Sequence, residues 1–481
     1  MITTLRKHAR RMLGYDAVVD KQRRRAPVVR TQDEGKILKP RDRRMLLATA
    51  RDVRRNYAVA AWAVRKHLDY VSAFRFQSKT GDKALDERIE RFVRWWSLKA
   101  NCDVARRHPL RRLIRLGEAH RTVDGDTGVY KLMSGRIQVL EGDHIANATD
   151  GLPPNVTTDG FEHGVKCAKL TGEALRYMIC DRAETGGGLV YRAIVPARHL
   201  TLLGYYDRLD QVRGISPLAS ALNTLQDTYE TVDHAVAKAK VAQMFGLALF
   251  RTADDSTGDV ESTPDDAGDP DKSAYKVDFG RGPFQLDLDP EDKAEFLEAR
   301  TPAQETMKLI ETMILIALKA LDIPHSFFDE SFTNFYGSRG GLMQYLHSCR
   351  NKQDDLIELL DELTAWRLAI ALEDAALAPD ERRGPPLDMP AGMAVNDLAW
   401  GWTPAGVPWW DPKKEIDGHL KAIAAGLDNP QRVCQATNGT DFYENIDRRE
   451  QAETYARDAG VAVDFGLKPA VPTVEVVNDE D

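Results

Sequence analysis

The chain is poor in several things that would define a class. Only five of its 481 residues are cysteine (Cys102, Cys167, Cys180, Cys349 and Cys434), far apart and without a C-x-x-C pair. An odd, dispersed set builds neither a disulfide framework nor a zinc site, and reads as small buried side chains of a reducing compartment. No run reaches the roughly 18 apolar residues that span a bilayer. The best, Met313-Ile-Leu-Ile-Ala-Leu, belongs to an amphipathic helix. The start, Met1-Ile-Thr-Thr-Leu-Arg-Lys-His, lacks an apolar core followed by a small-residue cleavage site. The expectation is a soluble protein, made in a cytoplasm without a secretory signal and with no membrane partner.

Catalytic signatures are missing as well. Gly35-Lys36 has neither the upstream glycine nor the following hydroxyl of a phosphate-binding loop, and there is no G-x-S-x-G, H-E-x-x-H or G-x-G-x-x-G. The eleven histidines are scattered without ligand spacing, so a lone one such as His234 or His347 reads as a structural hydrogen-bonder. Asp265-Asp266 and Asp354-Asp355 fall in an acidic loop and on a helix face, where solvated charge outweighs a dyad. Asp124-Gly125-Asp126-Thr127-Gly128 begins like a calcium loop, but its twelfth position is Gly135 where a bidentate Glu is needed, so a hairpin turn is expected. The residues argue for no enzyme, no metal and no cofactor.

Charge is nearly balanced, 66 Lys+Arg against 74 Asp+Glu, a net −8. That excludes wholesale wrapping of nucleic acid, which needs a basic face, and leaves room only for local contacts with DNA. Residues 1–50 run the other way, with 14 basic and 5 acidic residues. They read as a nucleic-acid-facing or partner-binding arm or, more simply, as a solvated, partly disordered leader packing along a neighbouring subunit, since no aromatics interleave to stack bases.

The periodicity predicts an α+β, mainly helical chain. Asp42 can cap a helix through Met45, Leu46 and Val53, continued by Val64, Leu68 and Val71. Ile89, Phe92, Val93 and Trp96 mark another amphipathic helix; Trp95 and Trp96 could form a stacking platform, but adjacent positions on a helix point different ways, so core anchoring is expected of them. From about 118 to 210 the period falls towards two, with strands at 129–132, 137–140, 177–180 and 189–192, implying a small sheet or barrel. Ser216-Pro217 opens a long helix to about Phe245. Residues 254–271 then carry eight acids and no base, a solvated loop or disordered tip. Strand-like 275–279 and 284–288 follow, then a second long helix from about Pro290 to Leu321. The pattern is rod, compact insert, rod. A third long helix follows a Gly/Ser/aromatic loop, 331–341, and the tail from 391 is rich in Trp (Trp400, Trp402, Trp409, Trp410).

Three segments in order then carry a resemblance. Arg208-Leu-Asp-Gln211-Val-Arg213-Gly214-Ile-Ser216-Pro-Leu218 resembles the R-x-x-Q-x-R-G-[IV]-[SP] segment of lambda-type phage portal proteins. Asn334-Phe-Tyr-Gly-Ser-Arg339, after Ile323-Pro324, resembles that family's N-Y-S-S-A-R segment. Asp411-Pro-Lys-Lys-Glu415, with Gly426, Gly439-Thr-Asp441 and Glu453 beyond, is similar to its D-P-x-K-E…G and G-x-D…E order. Tyr336, Gly337 and Ser338 depart from it, making a bulkier and looser loop, and the acidic 254–271 looks peculiar to this chain.

The resemblance implies a ring of about twelve copies at one vertex of a tailed-phage head. Such a ring passes genome DNA inward and outward, docks the terminase and then receives head-completion and tail proteins, beside major capsid and scaffolding proteins. It would be assembled in a host bacterial cytoplasm and end in the virion. The implied parts are a basic arm (1–45), a wing (46–215, β-rich over 118–210), a stem helix (216–245), a clip (246–289), a second stem helix (290–322), a tunnel loop (323–341), a long wing helix (342–390) and a C-terminal crown (391–481) with an acidic tail. The channel residues would be Asn334, Phe335, Tyr336, Gly337, Ser338 and Arg339, with Arg350 and Lys352 on the next helix; the last two equally suit intersubunit salt bridges. The clip would meet terminase or adaptor through Asp254, Asp255, Asp265, Asp266, Asp269 and Asp271. The rival expectations are a non-viral helical scaffold, which leaves the sheet region unexplained, and a DNA-cleaving packaging enzyme, which lacks a carboxylate cluster of metal-site spacing.

Overall fold

The computed structural model describes residues 33–184, 187–244, 247–250, 293–296, 304–329, 335–375, 393–407 and 411–461, with isolated positions at 385, 387, 389 and 390. The chain divides into a larger unit, Met1–Leu222 with Leu318–Asp481, and a smaller one, Asn223–Ala317.

The larger unit begins with one helical turn, Glu34–Ile37, and then α1, Pro40–Asn56, and α2, Ala58–Val71. Pro40 occupies the first helical position, where its missing N–H costs nothing, and Lys39 is the N-cap. Asp42 therefore sits in the first turn and does not cap the helix, which corrects the sequence expectation. Helix α3, Lys83–Trp96, is capped by Asp82, whose carboxylate accepts from Ala84 N (2.9 Å) and Leu85 N (3.3 Å). Its buried face is Leu85, Ile89, Phe92, Val93 and Trp96, and the Trp96 indole donates to Gly135 O at 3.0 Å. Helix α4, Leu110–Asp124, is stitched to the end of α3 by Leu110 N donating to Ser97 O at 3.0 Å.

Two three-stranded antiparallel sheets follow. In the first, β2 (Asp126–Lys131) lies between β3 (Ile137–Glu141) and β7 (Leu200–Gly204), with Val129 opposite both Val139 and Thr201. In the second, β5 (Ala174–Arg182) lies between β4 (Val165–Cys167) and β6 (Leu189–Pro196), with an irregularity at Ile179/Cys180. Leu140, Ile145, Val165, Tyr177, Ile179, Val195 and Leu200 form a core drawn from both sheets. The sheet-or-barrel alternative thus resolves into two small sheets over one core.

Across the sequence, β1 (Phe74–Ser78) pairs antiparallel with β10 (Trp400–Pro404), Phe76 opposite Trp402 with ring centroids 5.1 Å apart. The tryptophans fasten this region to the long helix α7, Phe335–Ala375: Trp400 Nε1 donates to Asp361 (2.9 Å) and Trp402 Nε1 to Thr364 (3.1 Å). Trp409 and Trp410 lie outside the described residues. Helix α7 buries Tyr345, Cys349, Leu356, Leu359, Leu360 and Leu363 in helical spacing. Three short-capped helices end the unit: α8 (Pro412–Ala424) behind Asp411, α9 (Pro430–Asn438) behind Asn429 and closed by left-handed Gly439, and α10 (Phe442–Asp458) behind Asp441. All five cysteines are free thiols.

The smaller unit holds α5, Leu222–Met244, and α6, Gln304–Leu318, with a two-stranded antiparallel pair, β8 (Leu247–Phe250) and β9 (Lys293–Phe296). Two expectations are corrected by these elements. Ser216 caps only a 3-10 turn, Pro217–Ser220, by accepting from Leu218 N, and α5 starts after Ala221. The second helix does not run from Pro290: 293–296 is strand, because the period-two Lys-Ala-Glu-Phe satisfies its backbone against 247–250. A continuous helix would also place Pro302 in its interior, at a cost of about 3 kcal/mol. Residues 251–292, including the strands expected at 275–279 and 284–288, lie outside the described residues.

Candidate functional site

The segment Arg208 to Ser216 is held by side chains that close almost every polar group it brings. Arg213 is buried and spends its whole guanidinium: Nε on Asp126 Oδ2 (2.7 Å), Nη2 on Asp126 Oδ1 (2.7 Å) and Gly142 O (2.7 Å), Nη1 on His163 O (2.6 Å) and Ile145 O. Gly214 N adds a bond to Asp126 Oδ2 at 3.0 Å. Arg43, carried in by α1, reaches the same carboxylate at 3.0 Å and Gly214 O at 2.8 Å. Two cations thus share one anion out of water, a geometry tolerable only because each donor finds an acceptor. The excess positive charge falls on His163, whose imidazole is pushed down to about 4 by burial and by Arg43 and Arg213. Arg43 itself is lowered to about 10 by burial and by Arg213.

Glycine is required at two crossing points here. A Cβ on Gly214 would lie 2.2 Å from Gly125 O, and Gly125 has a φ of 97° with Gly214 O at 2.6 Å from its own hypothetical Cβ. Ser216 Oγ donates to Thr122 O at 2.7 Å, and Gln211 Oε1 accepts from Asp207 N and Arg208 N (2.5 and 2.7 Å). Arg208 pairs with Glu34 (3.1 Å) and Asp210 (2.9 Å). The first motif is therefore a fastening that fixes the segment leading to α5, with no free catalytic group in it.

The aspartates set aside as a failed calcium loop are part of this fastening, and they do not form a hairpin turn. Gly125 closes α4 and Asp126 begins β2; the hairpin turn lies at Leu132 to Arg136, where Gly135 has a φ of 74°. Asp124 is clasped by Arg51 (2.8 and 2.6 Å) and by His120 Nδ1 (3.1 Å), and Arg51 also holds Asp143 (2.9 and 3.2 Å) beside Arg182 (2.7 and 2.9 Å). Asp143 is driven far below the usual carboxylate range, against its burial, by Arg182 and Arg51. His120, Asp124 and Glu141 bring ligand atoms within 4.8 Å, but Arg51 already bonds both Asp124 oxygens, so the cluster is an ion-pair net rather than a vacant cation site.

A second buried net links α2, α4 and the Tyr205 segment. His67 Nε2 and Glu118 Oε1 are 2.8 Å apart, Tyr205 donates to the same oxygen at 2.8 Å, and Arg121 lies 4.0 Å over the Tyr205 ring. Arg121 also reaches Asp355 on α7. Sequence reasoning missed Arg43, Arg51, Glu118 and His67. The legible signal was a cation in register with an apolar stripe: Arg43 is three, four and seven residues ahead of Leu46, Leu47 and Ala50.

The second motif is placed differently from its expectation. Asn334 lies outside the described residues, and of Phe335 only the backbone is described. Phe335 to Gly341 form the first turns of α7, so this part of the expected tunnel loop, 323–341, is helix. Gly341 serves close packing: a Cβ there would meet Ser326 Oγ at 3.1 Å and Pro324 Cβ at 3.3 Å. Tyr336 is 78% exposed. Arg339 pairs with Glu415 at 3.2 Å, joining the second motif to the third, and Lys352 pairs with Asp322 at 3.1 Å. Arg339 and Arg350 are eleven residues apart, three turns on one helix face at about 16 Å, whereas Lys352 points to the other side. The expected long wing helix, 342–390, accordingly starts earlier and is described to Ala375. Asp254, Asp255, Asp265, Asp266, Asp269 and Asp271 lie outside the described residues.

The sequence matches the family described as phage portal protein, lambda family, over residues 22–353. The chain belongs to that family, a structural one of head–tail connectors. Among solved structures it is similar to a chain in the neck of an empty GTA particle computed with C6 symmetry, 13% identical, covering 82% of this chain and 93% of that one with a TM-score of 0.45. It is also similar to chains in the virion of a native gene transfer agent particle (12% identical, 82% and 93% covered, TM-score 0.43) and in the neck of the native GTA particle computed with C12 symmetry (12%, 82% and 92%, 0.45). No curated protein matches. No helix among the described residues is long and apolar enough to cross a membrane.

Proposed function

We propose that the chain is one subunit of a closed ring of about twelve copies at a capsid vertex, through which genome DNA is packaged and later released. Helices α5 and α6 are the stem, the residues between them the clip that docks terminase and then head-completion proteins, and 323–341 the stretch facing the channel. The wing is the two-sheet region with α1 to α4, and 391–481 the crown. The ring is assembled in the host cytoplasm and kept in the virion, and its work is mechanical rather than catalytic.

Beyond family membership, the observation that carries this reading is the open apolar surface of the smaller unit. Tyr229, Val232 and Val236 on α5 and Met307, Leu309 and Ile316 on α6 are exposed, Ile316 by 59%. A heterologous ring interface presents different faces to its two neighbours, so such helices need apolar contact on more than one side. As single copies they would be sticky. A net −8 per copy suits a channel that must pass DNA without holding it.

Native mass spectrometry of the purified full chain, with negative-stain images down the symmetry axis, tests the proposal. About twelve copies in a ring are expected. A compact single copy in solution would refute it.

A further inference from the structure

Within a chain of net charge −8, residues 91–115 hold eight basic residues and one acid, Asp103. That acid is buried and spent on the backbone, accepting from Ala105 N (3.0 Å), Arg107 N (2.8 Å) and His108 N (3.0 Å). Arg115 pairs with Asp69 at 2.7 Å. The other seven, Arg91, Arg94, Lys99, Arg106, Arg107, Arg111 and Arg112, are all exposed, and none is paired with a carboxylate among the described residues.

The fold draws these cations together. The bond between Leu110 N and Ser97 O sets the start of α4 against the end of α3, and Arg94 and Arg111 both line a cleft of about 610 Å³. Across it, Arg75 and Arg448 share Glu444; Glu90 also lines the cleft and partly offsets Arg94, while Arg111 has no carboxylate partner among the described residues. In the loop between, Arg106 holds a φ of 54°. A left-handed backbone there favours Gly or Asn, so a long cation at that position is kept against a local cost.

We infer that this arginine surface of the α3–α4 connection docks the phosphodiester backbone of duplex DNA lying against the subunit, through residues other than those assigned to the channel. Six of the seven free cations are Arg, whose planar fork matches phosphate oxygens. The patch has no exposed aromatic: Phe92 and Trp96 of α3 are buried, Trp95 is half-buried against Phe92 and the Arg367 guanidinium, and the exposed large apolar residues are Leu98 and Val104. A protein partner needs a dry apolar core ringed by polar groups, whereas a phosphate contact is carried by charge alone.

The test uses the full-length protein and covalently closed circular duplex DNA, which cannot thread a preformed ring, so its result is independent of the channel reading. Wild type is expected to bind with a steep dependence on salt. Replacing Arg106, Arg107, Arg111 and Arg112 together by Ala should lower the log–log salt slope by about 3 to 4 and weaken binding at least about tenfold near 0.1 M salt. A control variant without Lys169, Arg176, Arg192 and Arg198, exposed cations elsewhere, should stay within about twofold of wild type. Arg106→Gly relieves the backbone, so it should melt no lower than wild type while still losing affinity. The inference is overturned if the four-arginine variant keeps wild-type affinity and slope, if wild type does not bind the circle, or if polyglutamate competes as well as DNA, which would mark an acidic protein as the partner.

Discussion

Arg213 and Asp126 meet fork to carboxylate, Nε on Oδ2 and Nη2 on Oδ1 both at 2.7 Å, with side chains 2% and 0% exposed. Arg43 draws on the same carboxylate, so the single negative charge is the common term of helix α1, strand β2 and the segment that leads to α5.

Removing either member should therefore cost far more than an ordinary surface pair. Asp126→Asn leaves two buried guanidiniums facing a neutral amide, and Arg213→Ala leaves a buried carboxylate with one partner. Each is expected to lower unfolding stability by about 3–5 kcal/mol, read as a shift in the denaturant midpoint. A loss under about 1 kcal/mol would mean that the node is no more than a surface pair.

His163 gives the node a dependence on pH. The folded protein keeps this imidazole neutral down to about pH 4, against 6.5 for an unperturbed one, because of burial and the nearby Arg43 and Arg213. The unfolded chain takes the proton first, so the contribution is whole above about pH 6.5 and drains away as pH falls towards 4, at about 1.4 kcal/mol per pH unit. His163→Asn, which tolerates the φ of 48°, should flatten the stability curve across that window. Parallel curves for variant and wild type would remove His163 as the cause.

Gly214→Ala drives a Cβ to 2.2 Å from a backbone oxygen, which no side-chain rotation relieves. The expected result is loss of folded protein, or destabilisation beyond about 3 kcal/mol, seen as insoluble expression or a collapsed melting transition. Gly340→Ala, with nothing within 4 Å of the added atom, should behave like wild type or gain slightly in helix α7.

Much of this was legible in the sequence, and the failures share a cause. Core anchoring is expected of both Trp95 and Trp96; Trp96, in register with Ile89, Phe92 and Val93, is buried, whereas Trp95, one position round the helix, is only half-buried. The strand periods near 129, 137, 177 and 189 led to four real strands, because a half-buried strand writes its pairing into alternate residues. Asp124 and Asp126 suggest a calcium loop or a hairpin turn and not a buried ion pair, since Arg51 and Arg43 lie more than 70 residues away and no local pattern reveals a long-range partner. The glycines at 337, 340 and 341 suggested a loop, yet they lie in α7, where Gly341 allows close approach to Pro324 and Ser326. Tertiary contact outweighed propensity at that point.

The Arg339–Glu415 pair separates two roles for Arg339. If the side chain brakes DNA in the channel, Arg339→Ala should leave ring assembly intact and impair packaging or retention, while Glu415→Ala, which frees the cation, should not. Equal defects in both would make the residue a strut between motifs, and wild-type packaging in Arg339→Ala would end its candidacy as a DNA contact. Packaged-genome yield and leakage on storage are the measurements.

Deleting 254–271 should leave the ring whole and change only terminase or adaptor docking, read by co-sedimentation with each partner. Loss of the oligomer would refute the assignment of that segment to the clip.

Strands Leu247–Phe250 and Lys293–Phe296 run side by side, Phe250 facing Lys293. Whatever chain is threaded between them leaves and comes back through one doorway, and each doubling of its length adds only about 0.6 kcal/mol of closure entropy. The pair works as a hem: the length of the stretch beyond it can change while Leu247–Phe250 and Lys293–Phe296 stay joined.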